Sequence, residues 1–290
     1  MNMKYAYYPG CTLYTKSKNL DMCARETAQI LGVELKELET WNCCGAIFST
    51  VTDDLANQVA PIRNLVEAQK ISNKLVTLCA ACYNVLKRSN IYLIKPGNET
   101  YRKRINNFLE TEYDGKTEVV HYLETLQNDI GFENIKLKVK KNLNGLKVAS
   151  YYGCLMVRPS EELKFDDPDN PVMMDNLFSA LGAEPVDFAF KGECCGGYVL
   201  VDKPDVATKC AQTIIENMVA SGADCVATTC PLCQYNIDNQ QKQMSKQYNL
   251  PIFYFTQLLG LALGVDEKIL NLDNHFISPK PLLKQKGLLS

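Results

Sequence analysis

The chain has 290 residues, of which 46% are hydrophobic and 22% are charged, and its formal net charge is −2. That length allows one large domain or two of ordinary size, with enough apolar residues to build a core. The small net charge excludes a strong electrostatic footprint for nucleic acid, and the apolar runs are too short to span a bilayer. Because the N-terminus also lacks the apolar core of an export signal, we expect a cytoplasmic protein with no transmembrane segment and no nucleic-acid partner.

The first half of the chain alternates strand patterns with helix patterns. Ser17 is the predicted N-cap of the first long helix, and Gly32 is the predicted residue just beyond its C-terminus. The predicted elements are a strand at 4–8, a helix at 17–31, a strand at 33–38, a helix from about 53 to 72, a strand at 75–78 and a helix from about 82. This alternation predicts an α/β unit with a mostly parallel sheet, in which sites form where strands end and helices begin.

The second half repeats this order. Its predicted elements are a strand at 146–152, a helix at 170–181, a strand at 184–188, a helix at 204–220 and a strand at 225–229. Residues 139–145 join the two halves, and the segment after Gly264 shows no chemistry. We therefore predict two duplicated α/β domains, residues 1–142 and 143–290, with mostly parallel sheets and the functional sites at the domain interface.

Ten of the thirteen cysteines form two copies of one pattern. Each copy has a Gly-Cys, then an adjacent Cys-Cys-Gly, then a Cys-x-x-Cys, and 34 residues separate the pair from the last motif in both. We call these sets the first frame (Cys11, Cys43, Cys44, Cys79 and Cys82) and the second frame (Cys154, Cys194, Cys195, Cys230 and Cys233). Core packing does not produce such a pattern, so each frame is a candidate site.

Ordered thiols in a chain of this size indicate metal binding, catalysis or both, because disulfide frameworks belong to small exported proteins. Soft thiolates with only two histidines favour an iron–sulfur cluster or zinc. A structural zinc site uses four ligands, whereas each frame offers five thiols, two of them neighbours in sequence. Adjacent cysteines suit neighbouring irons of a larger cluster, which favours iron–sulfur chemistry. Zinc and a vicinal disulfide are the alternatives.

The two frames together resemble the tandem cysteine-rich CCG domains of the B-type subunit of heterodisulfide reductase. The resemblance covers nearly the whole chain, and all ten cysteine positions are filled. It implies two noncubane 4Fe-4S clusters, one bound by the first frame and the other by the second. It also implies that a disulfide, the mixed disulfide of coenzyme M and coenzyme B in that family, is reduced to two thiols in the cavity between them.

The resemblance further implies partner subunits. In that family electrons arrive from a ferredoxin-like C-type subunit, which is fed by a flavin-containing A-type subunit. This chain has neither a ferredoxin cysteine run nor a glycine-rich dinucleotide motif, so an external electron donor is expected. The expected activity is that of a disulfide oxidoreductase, working within a larger complex in an anaerobic process of the methanogenesis type.

Two other functions remain open at this point. One is a non-catalytic iron–sulfur electron-transfer subunit, because similar cysteine-rich domains occur in lactate and glycerol-3-phosphate oxidation systems. The other is an interaction module held together by zinc. Two complete frames favour the disulfide reductase.

A few residues outside the frames have alternative interpretations. Cys23, Cys210 and Cys225 lie on predicted helix stripes or strands, where free cysteine behaves as a small apolar residue. His121 is a candidate proton donor to a departing thiolate, although a structural histidine is favoured, and His275 has no expected role. Four tyrosines precede the Gly-Cys turns and are expected either to line the cavity or to pack in strands: Tyr7, Tyr8, Tyr151 and Tyr152.

Overall fold

The structure is a computed structural model that describes residues 3–46 and 55–289. It contains two sheets of four strands, and every strand pairing in both is parallel. The spatial orders are β2-β1-β3-β4 and β6-β5-β7-β8, so the second sheet repeats the first. The strands are β1 (Met3–Tyr8), β2 (Val33–Glu37), β3 (Lys74–Thr77), β4 (Glu118–His121), β5 (Lys147–Tyr151), β6 (Glu184–Val186), β7 (Cys225–Thr228) and β8 (Ile252–Tyr254).

Helices connect and cover the strands. They are α1 (Cys11–Thr15), α2 (Lys18–Ile30), α3 (Leu55–Gln69), α4 (Ala80–Ile94), α5 (Glu99–Leu109), α6 (Tyr122–Glu124), α7 (Phe132–Lys136), α8 (Cys154–Val157), α9 (Ser160–Leu163), α10 (Met173–Ala180), α11 (Pro204–Ala220), α12 (Pro231–Gln240), α13 (Phe255–Leu263), α14 (Glu267–Leu270) and α15 (Lys280–Gln285). A π-helix occupies Thr125–Ile130. Among the helices that the structure describes, none is both long and apolar enough to cross a bilayer.

The two sheets form because their central strands are apolar on both faces. All four residues of β7 are buried, as are the last three of β1 and of β3. Parallel strands covered by helices on both sides show continuous apolar runs of this kind, whereas a half-exposed strand alternates. The predicted fold class, duplicated α/β units with parallel sheets, is confirmed.

Several predicted elements differ in detail from the observed ones. The start of the helix predicted near residue 53 lies outside the described residues. Ser17 occupies the N-cap position of α2, but its side chain does not cap the helix and instead accepts a hydrogen bond from Tyr254 Oη at 2.8 Å. Sequence patterns did not predict β4 and β8, or the short helices α1 and α8 after each Gly-Cys. The segment after Gly264 forms α14 and α15.

Each half has a helix that packs on the other half. In one direction α13, which follows the last strand of the second half, packs on α2 of the first half. Thr256 Oγ1 donates to the main-chain oxygen of Leu20 at 3.1 Å there. In the other direction α7 of the first half packs on α10 of the second. The domain boundary between residues 142 and 143 stays a prediction from the sequence, because helices of each half pack on the other half.

The interface is also held by a buried amide. Asn84, on α4 of the first half, is 1% exposed, and its side-chain nitrogen donates to the main-chain oxygens of Leu155 at 2.9 Å and Arg158 at 2.8 Å. A buried donor with two well-placed acceptors fixes the orientation of α4 relative to the second half, since losing either partner leaves a polar group unsatisfied. The helix that carries the first Cys-x-x-Cys is thereby tied to the turn that follows Cys154.

Candidate functional site

The topology brings the three cysteine motifs of each half to one sheet edge. In the first sheet, β2, β1 and β3 are neighbours, and each precedes one motif of the first frame. In the second sheet, β6, β5 and β7 have the same relation to the second frame. Because all these strands are parallel, their carboxyl ends meet at the same edge, which is the usual binding edge of an open α/β sheet.

Within the first frame the thiols form close pairs. Cys43 Sγ lies 3.7 Å from Cys11 Sγ, and Cys44 Sγ lies 3.6 Å from Cys82 Sγ. The adjacent cysteines therefore point at different partners, as expected for a site larger than one ion. In the second frame the corresponding thiols pair in the same way, Cys154 with Cys194 and Cys195 with Cys233.

The two frames meet at the domain interface. The thiols of Cys79 and Cys230, the first cysteines of the two Cys-x-x-Cys motifs, interact with each other across it. Both residues are buried and sit at the N-cap positions of α4 and α12. The hydrogen bond from Cys230 holds the pKa of Cys79 well below its usual range, and the partial positive charge at a helix N-terminus also favours a thiolate there. The pKa of Cys230 is raised to about 12, because its contact with Cys79 and its burial outweigh the hydrogen bond with Cys233.

A glycine precedes the first cysteine of each frame because the site has no room for a side chain there. Gly10 has φ +77°, and a Cβ on it would lie 2.9 Å from Cys82 Sγ. Gly153 has φ +68°, and a Cβ on it would lie 2.9 Å from Cys233 Sγ. Only glycine adopts such a conformation readily while letting the backbone approach a thiol this closely.

In each half, one tyrosine hydroxyl is hydrogen-bonded to the main chain of the residue that precedes the adjacent cysteine pair. Tyr8 Oη donates to the main-chain oxygen of Asn42 at 2.8 Å, and Tyr151 Oη donates to that of Glu193 at 2.6 Å. Asn42 and Glu193 each directly precede a pair. In the first half Asn64 holds the same residue, with its oxygen accepting from Asn42 N at 2.8 Å. These contacts fix the pairs rigidly relative to the sheet.

Hydrogen bonding among the thiols divides them into proton donors and acceptors. The hydrogen bond from Cys43 lowers the pKa of Cys44 to about 3, and the one from Cys154 lowers the pKa of Cys194 to about 6. The same contacts raise the pKa of Cys43 and of Cys154. Main-chain amides also reach the sulfurs, since Gly196 N lies 3.4 Å from Cys194 Sγ. Such N–H···S contacts tune the potential of a bound cluster.

The donor set fits an iron–sulfur cluster better than a single ion. The thiols of each frame form a connected set that reaches the interface. Cys82 contacts both Cys44 and Cys79, and Cys233 contacts both Cys195 and Cys230. Cysteine thiolates are the usual ligands of iron–sulfur clusters, so each frame has the chemistry to hold one.

The histidine considered as a proton donor is engaged by the main chain. His121 is buried, its Nδ1 accepts from Leu123 N at 3.2 Å, and its Nε2 lies 2.8 Å from the oxygen of Leu78. Burial lowers the pKa of His121 to about 4, so its ring is neutral near pH 7. These contacts favour the structural interpretation. His275 is likewise placed against a side-chain amide, with its Nε2 3.0 Å from Gln257 Nε2.

The cysteines outside the frames differ in their surroundings. Cys23 and Cys225 are buried in the core, on α2 and β7. Cys210, on α11, is partly exposed and lies beside the turn of the second pair, since a Cβ on Gly196 would lie 3.2 Å from Cys210 Cβ. Burial, and then the nearby charges of Cys194 and Cys195, raise the pKa of this thiol.

Sequence reasoning missed one residue of the site, Tyr198. It lies in a cavity with Ala80 of the first half and with second-frame cysteines, among them Cys154, Cys195 and Cys230. It is 39% exposed, and the charges of thiols from both frames act on its phenol. Its position three residues after Cys195 was the only signal in the sequence, and only the folded chain shows that it lies beside the second frame in one cavity with Ala80 of the first half.

Comparison with known proteins gives a family match in each half. The model of the cysteine-rich domain called CCG matches residues 5–87 and again residues 148–238. The two matches contain all ten frame cysteines and have the same order of motifs.

Two relatives are similar over nearly their whole length. The chain is 35% identical to the 8-methylmenaquinol:fumarate reductase membrane anchor subunit of Wolinella succinogenes, covering 97% of this chain and 100% of that one. It is 30% identical to the B subunit of the ferredoxin/F(420)H(2)-dependent CoB-CoM heterodisulfide reductase of Methanosarcina acetivorans, covering 94% of each.

A solved structure shares the fold. A hypothetical protein from Helicobacter pylori superposes with a TM-score of 0.75 at 15% identity, and the match covers 96% of this chain. This chain spans 52% of the length of that one. At this identity the likeness concerns the fold alone.

We expect a methyl group at Gly10 to disturb the first frame specifically. In a Gly10→Ala variant the new Cβ meets Cys82 Sγ, so the variant should lose the iron of the first frame and keep that of the second. Gly145→Ala is the matched control, because Gly145 has φ +78° and open space around its Cβ position. Both variants should lose about 1–3 kcal/mol of folding free energy, because each puts a side chain at positive φ, and Gly10 with ψ 166° lies in a region that is essentially restricted to glycine. Equal iron content in the two purified variants would contradict the close approach at Gly10.

Proposed function

The chain belongs to the cysteine-rich CCG-domain family, and from this premise we propose that it is the catalytic iron–sulfur subunit of a heterodisulfide reductase-type complex. Its reaction is the reduction of a disulfide, the coenzyme M–coenzyme B heterodisulfide or a related one, to two thiols. The reaction consumes two electrons and two protons per disulfide and leaves one hydrogen on each sulfur.

The arrangement of the two frames is the observation that carries this proposal. They meet at the interface, where the thiols of Cys79 and Cys230 are hydrogen-bonded. Two equivalent sets of thiols that meet at one interface suit a substrate with two sulfur atoms. Binding pockets commonly form at such domain interfaces.

We assign the ten frame cysteines as the ligands of two noncubane 4Fe-4S clusters. When bound, such clusters would supply one-electron redox chemistry. The protein holds the thiols in place through Tyr8, Tyr151 and the two glycine turns. It also lowers the cost of gathering thiolates by placing Cys79 and Cys230 at helix N-termini.

The proposal includes partners and location. Electrons are delivered by a ferredoxin-like C-type subunit, supplied by a flavin-containing A-type subunit, as in the heterodisulfide reductases. We place the complex in the cytoplasm of an anaerobic organism. The relatives from Methanosarcina support such a complex, because their names describe them as subunits of one.

A second candidate function is electron transfer without disulfide chemistry. The 35% identity to a subunit of a quinol:fumarate reductase favours it, since that relative is at least as similar to this chain as the Methanosarcina heterodisulfide reductase subunits. In this case the two frames pass electrons between partner subunits. Quinol-dependent reduction of the chain within its complex, together with no turnover of any disulfide, would support this candidate over the first.

Each frame should hold its own cluster independently. Replacing Cys43 by Ser should remove or convert only the cluster of the first frame, and Cys195→Ser only that of the second, because each half carries a complete five-thiol set. Iron and sulfide per chain, measured after anaerobic purification, would decide this. Loss of both clusters in either variant would instead indicate one site assembled across the halves, and unchanged iron in both would contradict the ligand assignment.

The isolated chain should not oxidise NADH. It lacks a ferredoxin cysteine run and a dinucleotide-binding motif, so electrons have to come from another subunit or from a low-potential dye. We expect disulfide reduction with reduced methyl viologen and none with NADH. Rapid NADH-dependent turnover by the chain alone would overturn this expectation.

The disulfide should be cleaved between the frames. Anaerobic crystals soaked with the heterodisulfide of coenzyme M and coenzyme B are expected to show two separated sulfur atoms, one near Cys11 and Cys43 and the other near Cys154 and Cys194. A substrate bound wholly against one frame would contradict the two-sided mechanism and leave the iron–sulfur assignment intact.

A further inference from the structure

A buried carboxylate lies on the helix that carries Cys233 of the second frame. Asp238 is on α12, and its side chain is 0% exposed. It follows Cys233 by five residues, which places it about 7.5 Å further along the helix axis. A carboxylate is seldom buried unless it is paired with a cation or fully hydrogen-bonded, so its surroundings decide what it can do.

The contacts of Asp238 are hydrogen bonds from neutral donors. The main-chain nitrogens of Phe276 and Ile277 donate to its two oxygens at 2.8 and 3.0 Å. Gln234 Nε2 donates to Oδ2 at 3.1 Å. Gln234 directly follows Cys233, so the carboxylate is hydrogen-bonded to the residue next to a cysteine of the second frame.

The nearby basic groups do not neutralise this carboxylate. Among the described residues, His275 Nδ1 is the basic nitrogen within 4.0 Å of it, and burial lowers the pKa of His275 to about 4, so the ring is uncharged near pH 7. Lys242, in the turn after α12, is exposed, and its Nζ lies 4.5 Å from the centre of the Phe276 ring. Water screens an exposed charge, so Lys242 offsets the charge of Asp238 only in part.

The strand β8 and the helix α11 also reach this region, with neutral groups. The hydroxyl of Tyr254 lies 3.4 Å from Gln234 Oε1, and burial raises the pKa of Tyr254, so the phenol is uncharged. From α11, Thr208 Oγ1 donates to Gln240 Oε1 at 2.7 Å. Burial raises the pKa of Asp238 itself to about 6, although the hydrogen bonds to its oxygens act in the opposite direction. The carboxyl group therefore exchanges its proton near neutral pH.

The first half differs at the equivalent position. Lys87 follows Cys82 by five residues on α4, as Asp238 follows Cys233 on α12. Lys87 Nζ lies 3.8 Å from Glu124 Oε1, so the two charges there offset each other. The duplicated chain thus has an ion pair near one frame and a single carboxylate near the other.

Negative charge added to the second frame changes the proton affinity of this carboxylate. A like charge nearby in a poorly solvated region favours the neutral form of a carboxyl group. The coupling is reciprocal, so protonation of Asp238 favours reduction of the frame by the same amount. Solvent can supply the proton, because Phe276, whose amide contacts the carboxylate, is 40% exposed.

We propose that Asp238 is the proton acceptor of the second frame, and takes up one proton from solvent when the cluster bound by that frame gains one electron. The proton goes to a carboxylate oxygen, so the net charge of the region stays the same. The inference rests on the proposed iron–sulfur cluster of the second frame and applies to either candidate function. In a disulfide reductase, Asp238 keeps one of the two protons that the reaction consumes close to the site.

Asp238→Asn tests the proposal because it removes the titratable group and keeps the shape of the side chain. Asp202→Asn is the matched control, since Asp202 is an exposed carboxylate of the same half. Both substitutions are made in the full-length Cys43→Ser chain, which is expected to keep only the second cluster, and the parent Cys43→Ser chain is measured beside them. Iron per chain is determined after anaerobic purification, and the midpoint potential of the cluster is then measured from about pH 5.5 to about pH 9.

The potential of the parent chain should fall as the pH rises, because Asp238 is largely protonated at the acid end and has to gain a proton on reduction at higher pH. We expect a change of about tenfold in the reduction equilibrium, or about 59 mV for one electron. Asp238→Asn should show no pH dependence: its potential should be close to that of the parent at the acid end and about tenfold more favourable to reduction at the alkaline end. Asp202→Asn should follow the parent.

The outcomes separate this inference from the cluster assignment on which it rests. A parent chain whose potential does not change with pH would overturn the inference, whatever the Asp238 variant does, and leave the assignment intact. An Asp238→Asn chain that keeps the pH dependence would also overturn it. So would one that loses its iron, since Asp238 would then support the frame instead of exchanging a proton. If the Cys43→Ser chain holds no cluster, the proposed ligand assignment fails and the inference fails with it.

Discussion

Ten thiols gathered in one region are the constraint on which the rest of this structure depends. Like charges brought together out of water repel, and burial penalises each thiolate further. The protein offsets this cost in three ways: thiol pairs such as Cys43 with Cys11 share protons, main-chain amides contact the sulfurs, and two helix N-termini point at the interface. Bound iron would supply the remaining positive charge, so cluster binding and stability of this region are coupled.

The fold class and the frames could be predicted because each is encoded locally. Buried strands such as β3 and β7 are continuous apolar runs. The glycine and cysteine motifs that follow the strands recur in the same order in both halves. The strands β4 and β8 were missed because no cysteine motif follows them, whereas β3 and β7, which also have only four residues, each end just before a Cys-x-x-Cys. Their place is decided by pairing with β3 and β7, which is a property of the folded chain.

The site was predictable only as far as its cysteines. Positions along the chain identify which cysteines act together, but they do not say which thiols face each other across the halves, as Cys79 and Cys230 do. The role of Ser17 was missed for the same reason, since its partner Tyr254 is 237 residues away. Tyr198 is the clearest case, because its place beside the second frame, in one cavity with Ala80 of the first half, arises only when the two halves pack together.

This interlocking explains how a duplicated chain can hold two facing sites precisely. The last strand of each half ends at the residue that precedes the next helix, His121 before α6 and Tyr254 before α13. Each of these residues donates from its main-chain nitrogen to the side chain three positions further on. After Tyr254, α13 packs on α2 of the first half, and after His121, α6 and the π-helix lead to α7, which packs on α10 of the second half. Each half therefore positions the other, and the distance between the frames is set by packed helices rather than by a hinge.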